Sequence, residues 1–286
     1  GEALFDVFPD EQRLGGAPVT EAVHAHQLGN AGVVVSRVGQ DELGRQVEQA
    51  LRQREMSIEH LQSDPDNPTG TVYVDVSESG SPSYEIVSGV AWDFLQWDGD
   101  LDDLSDHAGA VSFGTLAQRN AQTRNTIYRF LEQSHRAVRL FDINLRQDFY
   151  DRQKIRRSLE LANAMKLNAD ELNVVADLFN LGDDLEAAIA SLIRQYDLKW
   201  IALTRGKDGT AVYTAEAKHE ADPVTATGGG DAVGAGDATA AALLHGALRR
   251  WPWERTLKLA NTLGAHVASQ SGACPELTDA IAELAQ

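Results

Sequence analysis

The chain has little cysteine, little positive charge and no long apolar run, and each shortage excludes something. Cys274 is the only cysteine in 286 residues, so no intramolecular disulfide can form and the reducing cytoplasm is the expected location. A lone thiol of this kind reads as a small hydrophobe. No apolar stretch approaches the roughly 20 residues that span a bilayer, and no signal-peptide pattern opens the chain. Lys and Arg number 25 against 43 Asp and Glu, for a net charge of −18 and an isoelectric point near 4.7. Nucleic acid and anionic membranes want basic faces, so neither is an expected partner. An anionic substrate has to be held by local groups against that field. Two nucleotide motifs are also missing. No Gly-x-x-x-x-Gly-Lys-Ser/Thr string occurs, and a Gly-x-Gly-x-x-Gly/Ala reading fails at Thr239 or Val233.

The composition that remains, 43% hydrophobic and 24% charged, is that of an ordinary globular protein with a sizeable core. Apolar runs at 32–35, Ala110–Phe113, 137–144 and Trp200–Thr204 predict short strands. Ile127, Phe130 and Leu131 recur at helical spacing, as do Leu185, Ile189, Leu192, Ile193 and Tyr196 on a helix starting near Asp183. Such alternation predicts an α/β fold, a doubly wound and mostly parallel sheet covered on both faces, with ligands at the carboxyl ends of its strands. The segment 69–87 breaks the pattern. Val72, Val74 and Val76 alternate with Thr71, Tyr73 and Asp75, a turn-rich 77–82 follows, and 84–87 returns as the second arm of a hairpin. The opening Gly1-Glu2-Ala3-Leu4-Phe5-Asp6 reads like the end of a strand.

Chemistry concentrates near Asp231-Ala232-Val233-Gly234-Ala235-Gly236-Asp237, which runs straight into an Ala/Leu-rich helix. The first amides of a helix lack internal partners and carry partial positive charge, so a small-residue loop there suits an anion. Asp237 is the odd member. A carboxylate beside an anion cradle fits a reaction that deprotonates a hydroxyl as a phosphoryl group arrives, although an Asp at a helix start is also a common cap. Asp142, Asn144 and Arg146 leave the sheet on one side. Asn168 and Glu171 have the N-cap and N3 spacing of a capping box. Lys207-Asp208-Gly209 is good β-turn chemistry. His24 and His26, two apart on a predicted helix, do not share a face and predict no metal site.

In this order the motifs resemble the ribokinase-like (PfkB-type) carbohydrate kinases, and among them the bacterial fructokinases. Gly15-Gly16-Ala17-Pro18, Gly29 and Gly39 resemble the N-terminal signature, and Gly234-Ala235-Gly236-Asp237 the C-terminal one, with Asn168/Glu171 and Thr204/Gly206/Gly209 between them. The resemblance covers nearly the whole chain and implies a single catalytic domain over 1–286, with lid strands from about 5–16 and 69–90. It implies ATP-dependent phosphorylation of a sugar hydroxyl, most simply fructose to fructose 6-phosphate. Ribose, 2-keto-3-deoxygluconate, or a catalytically weak sugar-binding role are the alternatives. By the same resemblance Asp237 is the general base, and the amides of Gly234, Ala235 and Gly236 form the anion hole. Asp6, Gly16, Thr20 and Arg146 face the sugar. Asn168, Thr204, Gly206, Gly209 and Asn261 line the nucleotide site. Glu171 holds Mg²⁺ through water, and Asp231 is a candidate ligand for a monovalent cation such as K⁺. The hairpin would exclude water as a lid, and its free edge could pair two copies into a homodimer. Three departures stand out: Thr20 where the family has Asn, Glu21 at a usually apolar position, and Ala232 in place of a hydroxyl residue. They bear on which sugar is taken.

Overall fold

The computed structural model of the protein describes residues 1–76 and 82–286, so most of the predicted turn at 77–82 lies outside the described residues. Strand β1 (Leu4–Val7) and β2 (Gln12–Gly15) form a hairpin that leads into α1 (Ala17–Gln27). A parallel β–α–β unit follows: β3 (Ser36–Gly39), α2 (Glu42–Gln53) and β4 (Leu61–Asp64). Next come β5 (Gly70–Val76) and β6 (Pro82–Ile86). The alternating part runs α3 (Gly99–His107), β7 (Ala110–Phe113), α4 (Ala121–Gln133), β8 (Val138–Asp142), α5 (Arg152–Leu161), β9 (Ala164–Asn168), α6 (Ala169–Phe179), α7 (Leu185–Tyr196) and β10 (Trp200–Thr204). The antiparallel β11 (Thr210–Tyr213) and β12 (Lys218–Glu220) precede α8 (Ala235–Arg249), α9 (Trp253–Ala268) and α10 (Asp279–Leu284).

Strands β7 to β10 lie parallel and in sequence order, with β11 and β12 added antiparallel beyond β10. Both faces are covered, which is why the strands read as continuous apolar runs. Side chains alternate between the faces. Phe141, Met165, Leu167, Ile201 and Leu203 pack on one side with Leu172, Val175 and Leu192. Leu140, Ala164, Trp200, Ala202 and Val212 pack on the other with α8 and α9. The lid is a separate sheet in the order β2-β1-β5-β6. Its small core joins Leu4, Val72 and Val74 with Phe8 and Ile86, while Tyr73 stands in solvent. Gln147 Nε2 donates to the Tyr84 carbonyl at 2.8 Å, tying the lid to the loop after β8.

The predicted strand at 32–35 is shifted. The run 31–35 has no regular structure, and the strand is Ser36–Gly39. Apolarity misleads here because Val34 is buried by α1 and not by sheet pairing. A side chain at Gly32 would meet the Ala22 carbonyl at 2.2 Å. The true strand carries Ser36 and a buried Arg37 paired with Asp64 at 2.7 Å. A cavity of about 450 Å³ is lined by residues of both 31–35 and β7, and β3–β4 forms a two-stranded sheet separate from the six-stranded one.

Helix α8 is rich in alanine, which favours helix and leaves a thin surface. It therefore lies very close to α9. A Cβ on Gly246 would sit 2.3 Å from Thr256 Oγ1, and one on Gly264 would sit 2.8 Å from Thr239 Oγ1. Because Thr256 is fully buried, Gly246→Ala has to push the helices apart. We expect a loss of about 1–3 kcal/mol in urea unfolding despite the gain in helix propensity; an increase in stability would mean that the crossing is looser than described.

Candidate active site

Strands β8 and β9 place Asp142 and Lys166 directly opposite each other at the carboxyl end of the sheet. Lys166 sits one residue from Met165 and Leu167, so alternation turns it to the opposite face, towards α8. Its ammonium donates to both Asp142 oxygens, at 2.9 and 2.7 Å. Both side chains are buried. Burial alone would strip the proton from Lys166, but the Asp142 carboxylate outweighs it and holds the pKa above its ordinary value.

Helix α8 begins over this pair. Gly234, with φ of +79°, closes the approach, and a Cβ there would lie 2.7 Å from that of Ala273. Among the described residues the N–H groups of Gly234, Gly236 and Asp237 have no acceptor, whereas Ala235 donates to the Ala232 carbonyl at 3.3 Å. The open amides are thus those of Gly234, Gly236 and Asp237, in place of the expected Gly234–Gly236 trio. Open amides at a helix start suit an anion. Gly236 also leaves room beside Lys166, whose Nζ would be 3.5 Å from a Cβ at that position.

Asp237 is half-buried in the first turn of α8. Burial raises its pKa, as does the Asp142 charge, and Lys166 and Arg146 pull the other way; the balance leaves it at about 6. Oxygens of Glu21, Asp142 and Asp237 all lie within 4.8 Å of one another. Arg146, exposed beyond β8, acts on Asp6 as well, where its charge and that of Arg13 oppose a rise caused by burial. Gly16 has φ of +98°, and a Cβ there would strike the Glu2 carbonyl at 2.4 Å, so the turn into α1 requires glycine.

On the next strand ends, Asn168 and Glu171 form the capping box in full. Asn168 Oδ1 accepts from the Glu171 N–H, and Glu171 Oε2 accepts from the Asn168 N–H, both at 2.9 Å. Glu171 Oε1 also accepts from Leu145 N–H at 3.0 Å, which binds the Arg146 loop to the start of α6. Thr204 is the register partner of Asn168. Gly206 and Gly209, both with positive φ, shape the β10–β11 turn. Asn261 braces that turn: its Oδ1 accepts from Thr210 N–H at 3.0 Å and its Nδ2 donates to the Asp222 carbonyl at 3.1 Å. Asp231 reaches Gly272, but Arg13 donates to its Oδ2 at 2.6 Å. A cation there would have to displace that guanidinium.

The model of the pfkB family of carbohydrate kinases matches residues 5–280. The chain belongs to this family. It is 31% identical over 298 residues to the fructokinase of Salmonella typhimurium, covering 97% of this chain and 94% of that one. It is 32% identical over 300 residues to the fructokinase of Klebsiella pneumoniae, with the same coverage. Its fold matches that of the ATP-bound fructokinase of Xylella fastidiosa with a TM-score of 0.88, at 20% identity and covering 99% of this chain and 96% of that one. The architecture is therefore ribokinase-like.

Two of the sequence departures from the family lie in α1 of this kinase, and both are buried. Burial pushes the pKa of the Cys274 thiol up to about 11, so it stays protonated and unreactive. Glu21 joins the carboxyl cluster. Sequence reasoning noted Asp142 as a strand-end residue and Glu21 as a departure bearing on the sugar, but did not pair Asp142 with Lys166 or bring Glu21 to Asp237. A signal existed for the pair: a lysine inside the apolar strand Ala-Met-Lys-Leu-Asn needs a buried partner. Lys166→Met strands Asp142 as an uncompensated buried charge and should destabilise the kinase by about 3–5 kcal/mol in chemical unfolding, with much of the loss recovered in the Asp142→Asn/Lys166→Met double variant. Equal instability of the single and double variants would show that the two groups do not depend on each other.

Proposed function

We propose that this carbohydrate kinase transfers the γ-phosphoryl group of ATP to a hydroxyl of fructose, giving fructose 6-phosphate, with Asp237 as the general base. The observation that carries the proposal is a carboxylate with a pKa near 6 in the first turn of a helix whose leading amides are open. A base poised near the working pH accepts a proton well while remaining mostly ionised. The sugar O–H proton passes to Asp237 and the oxygen bonds the γ-phosphorus as the bond from phosphorus to the bridging oxygen breaks, releasing ADP. Charge that gathers on the transferred group meets the N–H groups of Gly234, Gly236 and Asp237. Such fixed dipoles need no reorganisation during the step.

On this reading Asp6 and Arg146 face the sugar, with Gly16 holding the turn beside them. Asn168, Thr204 and the Gly206–Gly209 turn receive the nucleotide, and Asn261 supports that turn from behind. Mg²⁺, when bound, would neutralise phosphate charge. Glu171 fits it as a partner through water: both its oxygens already accept N–H bonds, yet a carboxylate keeps lone pairs for metal-bound water. The β1–β2 and β5–β6 sheet covers the sugar side and limits hydrolysis by water. Fructose is preferred over ribose or 2-keto-3-deoxygluconate because the relatives named above are fructokinases.

The test is ADP release with Mg-ATP across a panel of sugars. Fructose should stimulate it most, and Asp237→Asn should lower turnover roughly 10²–10⁴-fold. If no sugar stimulates ADP formation, the proposal fails, and sugar-induced stabilisation without turnover would favour a binding role. Because Asp237 must be ionised to act, and its pKa is raised to about 6, kcat/KM should climb as pH rises through about 6. A rate flat from pH 5 to 7 would remove Asp237 from the role of base.

A further inference from the structure

Glu21 has no explanation in the scheme above. It sits on α1, 5% exposed, and its Oε2 is buried with no hydrogen-bond partner among the described residues. A buried carboxyl normally finds donors, and leaving one unpaired costs free energy. Its surroundings are mostly acidic. Asp142 faces it from β8 and Asp237 from α8, with oxygens of all three inside 4.8 Å. Glu2, from the segment before β1, lines the same small cavity, and its own Oε2 is likewise unpartnered. Ser112 on β7 offers a hydroxyl, and Lys166 on β9 a positive charge. That ammonium, however, is already bonded to both oxygens of Asp142. The Gly1 ammonium donates to the Val35 carbonyl at 2.6 Å, and Arg146 is exposed.

Three carboxyl groups within 4.8 Å of one another around one committed lysine cannot all be ionised. Asp142 is held through both oxygens by the Lys166 ammonium. Asp237 has a window to solvent and three open amides near it. Glu21 has neither, so it is where a proton stays, and burial together with the Asp142 and Asp237 charges pushes its pKa well above the ordinary carboxylate range. We propose that Glu21 is a positioning residue acting through Asp237: its proton keeps the third corner of the carboxyl triangle neutral, and loss of that proton at alkaline pH shuts the reaction down. A second anion at that corner would repel both the alkoxide forming beside Asp237 and the arriving phosphoryl group. The proposal rests on the reading of Asp237 as the base.

Two measurements separate the inference from that reading. In kinetics, wild-type kcat/KM should rise through about pH 6 and fall again on the alkaline side. Glu21→Gln, neutral at every pH, should keep the acid limb and lose the alkaline one, shifting it upward by at least about one pH unit. In unfolding, a group whose folded pKa is raised supports the fold below its unfolded pKa and withdraws that support as pH rises through the folded value. Wild type should therefore lose stability relative to Glu21→Gln as pH rises from the ordinary glutamate range, about 4.5, upward to the folded value, and Glu21→Leu should melt no lower than wild type at pH 8 to 9. A purely structural glutamate would give the opposite melting order. If Glu21→Gln superimposes on wild type in both the pH–rate profile and the pH–stability profile, Glu21 carries no titrating proton and the inference is wrong. If wild type turns over no sugar, the kinase reading has failed, yet the unfolding comparison still decides whether Glu21 holds the proton.

Discussion

The site depends on one buried contact, the Lys166 ammonium bridging both oxygens of Asp142. A lysine fully inside a sheet is unfavourable unless paired, and here the partner comes from the adjacent strand at matching register. The pair then acts on everything that approaches it. Burial is the main cause of the raised pKa of Asp237; the pair adds to the rise through Asp142 and restrains it through Lys166, and the result is about 6. The pair also lies under the first turn of α8, where a Cβ at position 236 would come within 3.5 Å of Nζ, an ordinary contact.

The start of α8 reaches this spot because the helix behind it is thin. Alanines and Gly246 let α8 press onto α9, and Thr256 fills the notch. At the other end, Gly234 turns the chain with a positive φ that most residues resist, and Ala232 takes the same kind of conformation without being glycine. Glu171 joins the two halves of the site. One oxygen caps α6 through Asn168 and the other holds the backbone of Leu145, next to Arg146. The ends of β8 and β9 are thus fixed to a single carboxylate, and the expected capping role of Glu171 is present in full.

Legibility from sequence followed the range of the interactions. Strands β7 and β10, the α8 helix and the Asn168–Glu171 box rest on local periodicity and capping, and each appears where the residues predict it. The strand placed at 32–35 failed because burial there comes from packing on α1, which a run of apolar residues does not distinguish from sheet pairing. The Lys166–Asp142 pair spans 24 residues and two strands, so only the sheet register reveals it. The amides open at α8 likewise differ by one position from expectation, since a single bond from Ala235 to Ala232 removes one donor. Glu21 was visible as an unusual residue, but its neighbours Asp142 and Asp237 are more than a hundred residues away in the chain.

The overall acidity gives the backbone donors their importance. A chain with net charge −18 cannot draw a polyanion by its global field, and the pocket adds carboxyls of its own. Its nearest buried cation is neutralised by Asp142. Charge on a transferred phosphoryl group must then be met by groups that the neighbouring carboxylates cannot titrate or pair away. Amide N–H groups at a helix start meet that requirement: their partial charge is fixed by the fold and insensitive to pH. The division of labour follows. On the proposed reading the carboxyls manage protons and the amides manage phosphate, with the buried Lys166–Asp142 pair beneath both.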